Sequence, residues 1–153
     1  MIEFHDVSKA FKREWLAIKN IDLKIGKGEF SFLIGKSGAG KSTIMKMIYM
    51  ELFPDEGYVT VAGYDSRTIK RKEIPYLRRK IGVIFQDFKL LPKKTVFENV
   101  ALALEVAGLS RSFIRKKTRQ SLKLVGLAEK EQAYPLQISG GEQQRVAIAR
   151  AIV

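Results

Sequence analysis

The chain has 153 residues, 46% hydrophobic and 29% charged, which excludes a largely disordered protein and leaves room for one domain with a core. It has no cysteine, which excludes a disulfide scaffold and a cysteine-ligated metal and fits a reducing compartment. Its formal charge of +12 raises nucleic acid as a partner, yet the basic clusters at 67–80 and 111–123 lack the interleaved aromatics of a single-strand platform. No nucleic acid is therefore expected, and the basic surface is read as membrane-facing or simply solvated.

No apolar run approaches the roughly 18 residues that a membrane helix needs; Lys46 and Glu105 interrupt the longest candidates. The start, "MIEFHDVSK", has an acid at its third position and no apolar centre, so a signal peptide is not expected and the cytoplasm is the default location.

In chain order, residues 2–7 alternate apolar and polar through Ile2, Phe4 and Val7, and 20–25 do so through Ile21, Leu23 and Ile25. Both predict half-buried antiparallel strands. "KGEFSFLIG" is a compact apolar run, which predicts a strand buried on both faces and ending in a glycine-rich loop. The following "KSTIMKMIYMEL" places Ile44, Met47, Ile48 and Leu52 on one helical face. "GYVTVAG" at 57–63 predicts a short alternating strand, and "KIGVIFQD" at 80–87 a second buried one. The period then changes. Thr95 with Glu98 three residues later forms a capping box for a helix that ends at Gly108. A second helix over about 112–125 turns Ile114, Leu122 and Val125 inward and its Lys and Arg outward.

The loop between the third of these strands and the first helix reads "GKSGAGKS", Gly35 to Ser42, and matches G-x-x-x-x-G-K-[ST] at every fixed position. An ordinary glycine-rich turn would match those positions by chance on the order of once in two hundred chains of this length. Gly35, Gly38 and Gly40 tolerate unusual backbone angles and leave room for a phosphate. The amides of Lys36, Ser37, Ala39 and Thr43 share the anion-binding concavity at the positive end of the helix. Lys41 offers a charge to the β- and γ-phosphates and Ser42 a hydroxyl to Mg²⁺. The expected ligands are ATP and Mg²⁺.

The chain ends with "ISGGEQQRVAIARAIV". Ser139 and Glu142 form a second capping box, but two glycines directly after the cap are costly in a helix and suit a phosphate approaching backbone amides. The stretch Ser139, Gly140, Gly141, Glu142, Gln143 resembles the signature motif of ATP-binding cassette (ABC) ATPases. In that family the motif faces the phosphate loop of a second protomer, so the resemblance implies a homodimer with two ATP molecules sandwiched in composite sites. It also implies a role for Gln86, at the end of "KIGVIFQ", as the glutamine that touches Mg²⁺ and the attacking water. "VSKAF" resembles the segment whose aromatic residue stacks on adenine; Phe11 takes that place, with Trp15 as its rival.

Within the family, 72–108 with the two motifs is most similar to the ATPase subunits of the bacterial cell-division complex, which pair with an integral membrane protein. Lipoprotein-release and methionine-import ATPases share much of this wording. The resemblance implies an α/β phosphate-loop fold with an antiparallel β lobe and phosphate-loop core (1–87), an inserted helical subdomain (88–137) and the signature segment (138–153). It implies a peripheral position on the cytoplasmic face of the membrane.

The family's strand-end Asp-Glu pair and switch histidine follow the signature helix, and neither occurs in these residues, so the fold is expected to be incomplete at its C-terminal end. His5 lies in the first strand and Asp87 in the coupling loop; neither is assigned those roles. On these residues the chain is expected to bind nucleotide weakly at best and not to hydrolyse it at a family-like rate. A non-catalytic module that senses ATP or blocks longer partners is the other class.

Overall fold

The computed structural model describes residues 1–12 and 15–153, with Lys12 and Trp15 described by backbone alone. The chain divides into two compact units, 1–80 and 81–153.

In the first unit, β1 (Ile2–Lys12) and β2 (Trp15–Ile25) form an antiparallel pair, with Phe4 opposite Leu23 and Ile2 opposite Ile25. On its other side β1 pairs with β3 (Glu56–Val61), and β4 (Tyr64–Asp65) closes the sheet in the order β2-β1-β3-β4. Phe4, Val7, Val59 and Val61 are buried, the last two by alternation along β3, and α1 (Lys41–Ile48), which buries Ile44, Met47 and Ile48, packs against β3. Strand β1 bulges at Asp6, which takes φ +48° and accepts from the Asn20 side-chain amide at 2.6 Å. His5 is a strand residue, stacked 4.5 Å from its cross-strand partner Tyr58. A one-and-a-half-turn helix, α2 (Ile74–Arg78), buries Leu77 and sends the Arg78 guanidinium to the carbonyls of Tyr49 and Met50, at 2.9 and 3.3 Å. A cation there satisfies acceptors left over at the C-terminal end of α1.

Three expectations need correction. Strands are predicted over 27–35, buried on both faces, and over 80–87, and the structure forms no strand in either. Phe30 is 85% exposed and Ile34 88%, with Phe30 and Phe32 in edge-on contact. An apolar run becomes a buried strand only when neighbouring strands take its backbone hydrogen bonds and layers cover its faces. Among the described residues no strand pairs with either run. The helix predicted to continue to Leu52 ends at Ile48, because Met50 turns to φ +53°.

The second unit is helical. α3 (Val96–Val106), α4 (Arg111–Leu124) and α5 (Gly140–Ile152) pack on one another around Val96, Val100, Leu122, Leu127, Ile138, Val146 and Ala149. The predicted capping box of α3 is formed: Glu98 N–H donates to Thr95 Oγ1 and Thr95 N–H to the Glu98 carboxylate. In α4 Ile114 and Leu122 are buried as predicted, joined by Thr118 and Ser121, and Ser110 caps the helix one residue earlier than the pattern indicated. The signature helix α5 shares its core with α3 and α4.

Candidate nucleotide-binding site

The phosphate loop lies in the first unit, between the 29–34 run and α1. Its residues Gly35, Lys36, Ser37, Gly38 and Ala39 are exposed, and a turn closes from Ala39 N–H to Lys36 O at 3.2 Å. Gly40 caps α1 at φ +86°, a left-handed conformation that side chains disfavour. A Cβ on Gly40 would lie 2.6 Å from the Ala17 carbonyl oxygen and 2.5 Å from Ile18 Cγ2, so strand β2 excludes any other residue there. Gly38 shares the left-handed angle, φ +81°, but a Cβ there meets open space.

No side chain caps α1 and no acid stands in its first turn, which leaves the positive helix end for an anionic ligand. Lys41 Nζ donates to the carbonyls of Gly35 and Lys36, both at 2.7 Å, and so is held over the loop's mouth. The Ser42 hydroxyl is exposed, whereas Thr43 is buried beneath the helix. Among the described residues no cluster of His, Asp and Glu could hold a metal unaided. Ser42 could offer a hydroxyl to a Mg²⁺ held chiefly by the phosphates of a nucleotide, an arrangement that suits a small cation reluctant to lose its water. The donor set fits a nucleotide triphosphate.

Phe11, near the end of β1, is 48% exposed, as a stacking residue must be; the Trp15 side chain lies outside the described residues.

The signature segment and Gln86 belong to the second unit. Ser139 N–H and Oγ–H both donate to the Glu142 carboxylate, at 2.8 and 2.9 Å, and Glu142 N–H donates back to Ser139 Oγ at 3.3 Å. Gly140 and Gly141 are exposed, and a Cβ on either would touch nothing within 4 Å. Nothing within this unit demands glycine there. Gln143 has a second employment: its amide Nε2 donates to the carbonyls of Pro135 and Ile138, fixing the short 3-10 turn that leads into α5.

The Ser139 amide, followed by its hydroxyl, holds the Glu142 carboxyl below its ordinary 4.5. A folded pKa below the unfolded one makes the cap's contribution complete above about pH 4.5 and lost as pH falls through the lowered value. Ser139→Ala should cost about 1 kcal/mol of stability at neutral pH. That difference should shrink in acid, a trend that urea titrations at several pH values would show.

Gln86 is exposed, and the loop beyond it is tightly held. Phe88 and Lys89 both take left-handed angles, φ +57° and +47°. Arg150 of α5 donates to their carbonyls, Nη2 to Phe88 at 2.6 Å and Nη1 to Lys89 at 2.8 Å. Burial pulls the Arg150 guanidinium below its usual range. Sequence reading assigned nothing to Arg150; a lone arginine at a helix end gives no local sign of a partner 61 residues away.

A family model described as "ABC transporter" matches residues 18–153. The cell division ATP-binding protein FtsE of Bacillus subtilis is 56% identical over the whole chain, which covers 67% of that protein. FtsE of Escherichia coli is 46% identical, again over the whole chain and 69% of its own length. The methionine import ATP-binding protein MetN of Vibrio vulnificus is 47% identical over 99% of the chain and 45% of its length. The chain thus spans about two-thirds of the length of the cell-division relatives. Among solved structures, the dimeric post-hydrolysis state of the ATP-binding cassette MJ0796 bound to ADP and Pi superposes with a TM-score of 0.90. It is 38% identical, over 99% of this chain and 69% of that one. A family model over most of the chain, a cassette fold and relatives this similar together make the chain a member of the ABC transporter ATP-binding family.

Proposed function

We propose that the chain is the ATP-binding part of an FtsE-type subunit acting in bacterial cell division. The uncapped N-terminus of α1, with Lys41 over its mouth and Gly40 wedged against β2, carries this reading. The loop amides and Lys41 hold the β- and γ-phosphates, Ser42 and Gln86 attend Mg²⁺, and Phe11 stacks on adenine. When bound, Mg²⁺ neutralises charge on the phosphates.

The signature residues Ser139, Gly140, Gly141, Glu142 and Gln143 meet the nucleotide of a second protomer. The bare surface over both glycines supports this, since it serves nothing within the unit. The dimeric form of the cassette MJ0796 is in keeping with it. Closure of that homodimer is passed to an integral membrane partner of the FtsX kind, with the subunit peripheral on the cytoplasmic face. Hydrolysis belongs to the reading at the level of the family. For the 153 residues we propose nucleotide binding without family-like turnover, because the family's Asp-Glu pair, which follows the signature helix, is not among them.

Equilibrium titration with MgATP tests the site. Lys41→Ala should weaken binding about thirtyfold or more, the worth of a charge-assisted contact to phosphate. Equal binding by both proteins would remove the loop from the site. Steady phosphate release by the unsubstituted chain, abolished by Lys41→Ala, would sink the proposal of binding without turnover. Capture of a methionine-import membrane protein in place of a division protein would move the chain to that branch of the family.

A further inference from the structure

Helix α4 carries Arg111, Arg115, Lys116, Lys117, Arg119 and Lys123 and no acidic residue. Its inner face is taken by Ile114, Thr118, Ser121 and Leu122, so every cation stands on the exposed surface. Four of them, with Ser112, line one shallow depression: Arg111, Arg115, Lys116 and Arg119. Among the described residues only Arg119 has an acidic partner, Glu131 at 2.9 Å, from outside the helix. Beside this row the helix exposes apolar groups. Phe113 is open to solvent with the Lys117 ammonium 5.8 Å from its ring, and Leu124 is 78% exposed.

A helix that is merely solvated mixes its charges, and opposite signs three or four residues apart support it. α4 forgoes that support and accepts like-charge repulsion along its length. From Arg111 to Lys123 the cations span about 18 Å, too long for one small anion and suited to a plane of phosphates. A nucleic-acid platform would carry several aromatics for stacking, and this face has one. A row of cations along one flank, with a phenylalanine and a leucine beside Lys117 along the other, is the pattern of a helix lying in a membrane interface.

We propose that the outer face of α4 docks on anionic phospholipid, its cations against headgroup phosphates and Phe113 and Leu124 at the acyl boundary. The proposal deepens the peripheral position argued above. It is tested without nucleotide or membrane partner, so it fails separately from the ATP site.

The experiment is co-sedimentation of the full chain with vesicles of phosphatidylcholine alone or mixed equally with phosphatidylglycerol, at rising salt. Binding should require phosphatidylglycerol and weaken as salt screens it. The double variant Arg115→Glu/Lys116→Glu should lower partitioning about a hundredfold, whereas Arg71→Glu/Lys72→Glu, with the same change in net charge, should alter it by less than about threefold. Phe113→Ala should reduce it by about tenfold, the worth of burying one aromatic side chain. All of these residues are exposed, and circular dichroism confirms that each variant is folded. Equal binding to both vesicle types, or equal losses in the two double variants, would overturn the proposal. So would a chain that ignores vesicles but loses a co-purifying membrane protein on Arg115→Glu/Lys116→Glu, which would make the face a protein interface.

Discussion

Gly40→Ala is expected to abolish MgATP binding and to lower the melting temperature of the first unit by about 15 °C. Two costs combine. A left-handed angle for an L-residue costs about 1 kcal/mol. The added methyl also lies 2.6 Å from the Ala17 carbonyl oxygen and 2.5 Å from Ile18 Cγ2, a clash that only movement of the loop away from β2 can relieve. Together they amount to about 3 kcal/mol, which in a unit of this size shifts melting by about 15 °C. The moved loop no longer presents its amides together. Gly38→Ala is the control, because φ is nearly the same, +81°, and the space is open. It should cost about 1 kcal/mol and leave the fold intact. Thermal melts and nucleotide titration of both variants decide the matter: equal losses would mean that contact with β2 is irrelevant.

Asn99→Ala is expected to be the most damaging single change in the second unit, at about 3 kcal/mol. Asn99 is fully buried in α3, and its side chain makes four hydrogen bonds. Oδ1 accepts from Leu91 N–H at 2.7 Å, while Nδ2 donates to the carbonyls of Leu91, Lys94 and Thr95 at 3.1, 3.0 and 2.9 Å. Alanine leaves the loop leading into α3 with unpaired polar groups, each costing about 1–3 kcal/mol. Asn99→Asp should be at least as harmful at neutral pH, because a carboxylate would face three carbonyl oxygens and could donate to none. Its pKa should rise in the folded state, so this variant should gain stability as pH falls towards the folded value, the reverse of an ordinary carboxylate. Urea unfolding at pH 7 and pH 5 checks both claims. A variant no less stable at pH 7 than at pH 5 would contradict the account.

What could be read from the chain beforehand follows a rule of distance. The capping boxes of Thr95 with Glu98 and Ser139 with Glu142 were legible because both partners lie within one helical turn. The amphipathic pattern of α4 placed Ile114 and Leu122 inside for the same local reason. The runs 27–35 and 80–87 were misread because an apolar segment looks the same whether or not a strand lies beside it. Arg78 and Arg150 gave no signal, since the carbonyls they hold come from segments 28 to 62 residues away that the sequence does not mark as neighbours. The exposed half of α4 was seen as basic, but that Arg119 alone among its cations meets an acid, Glu131, emerged only once the acids of the described residues were placed.

By itself the sequence determined the phosphate-loop pattern, the starts of α3 and α5 and the alternation of β1, β2 and β3, because each depends on residues close in the chain. Only the tertiary structure decided which glycines are compulsory. Gly40 is, against Ala17 and Ile18, and so is Gly82, where any side chain would land on the Ala151 carbonyl; Gly140 and Gly141, open to solvent, are not required by packing. The reason is that excluded volume depends on which distant backbone arrives beside a residue, and no local pattern carries that information.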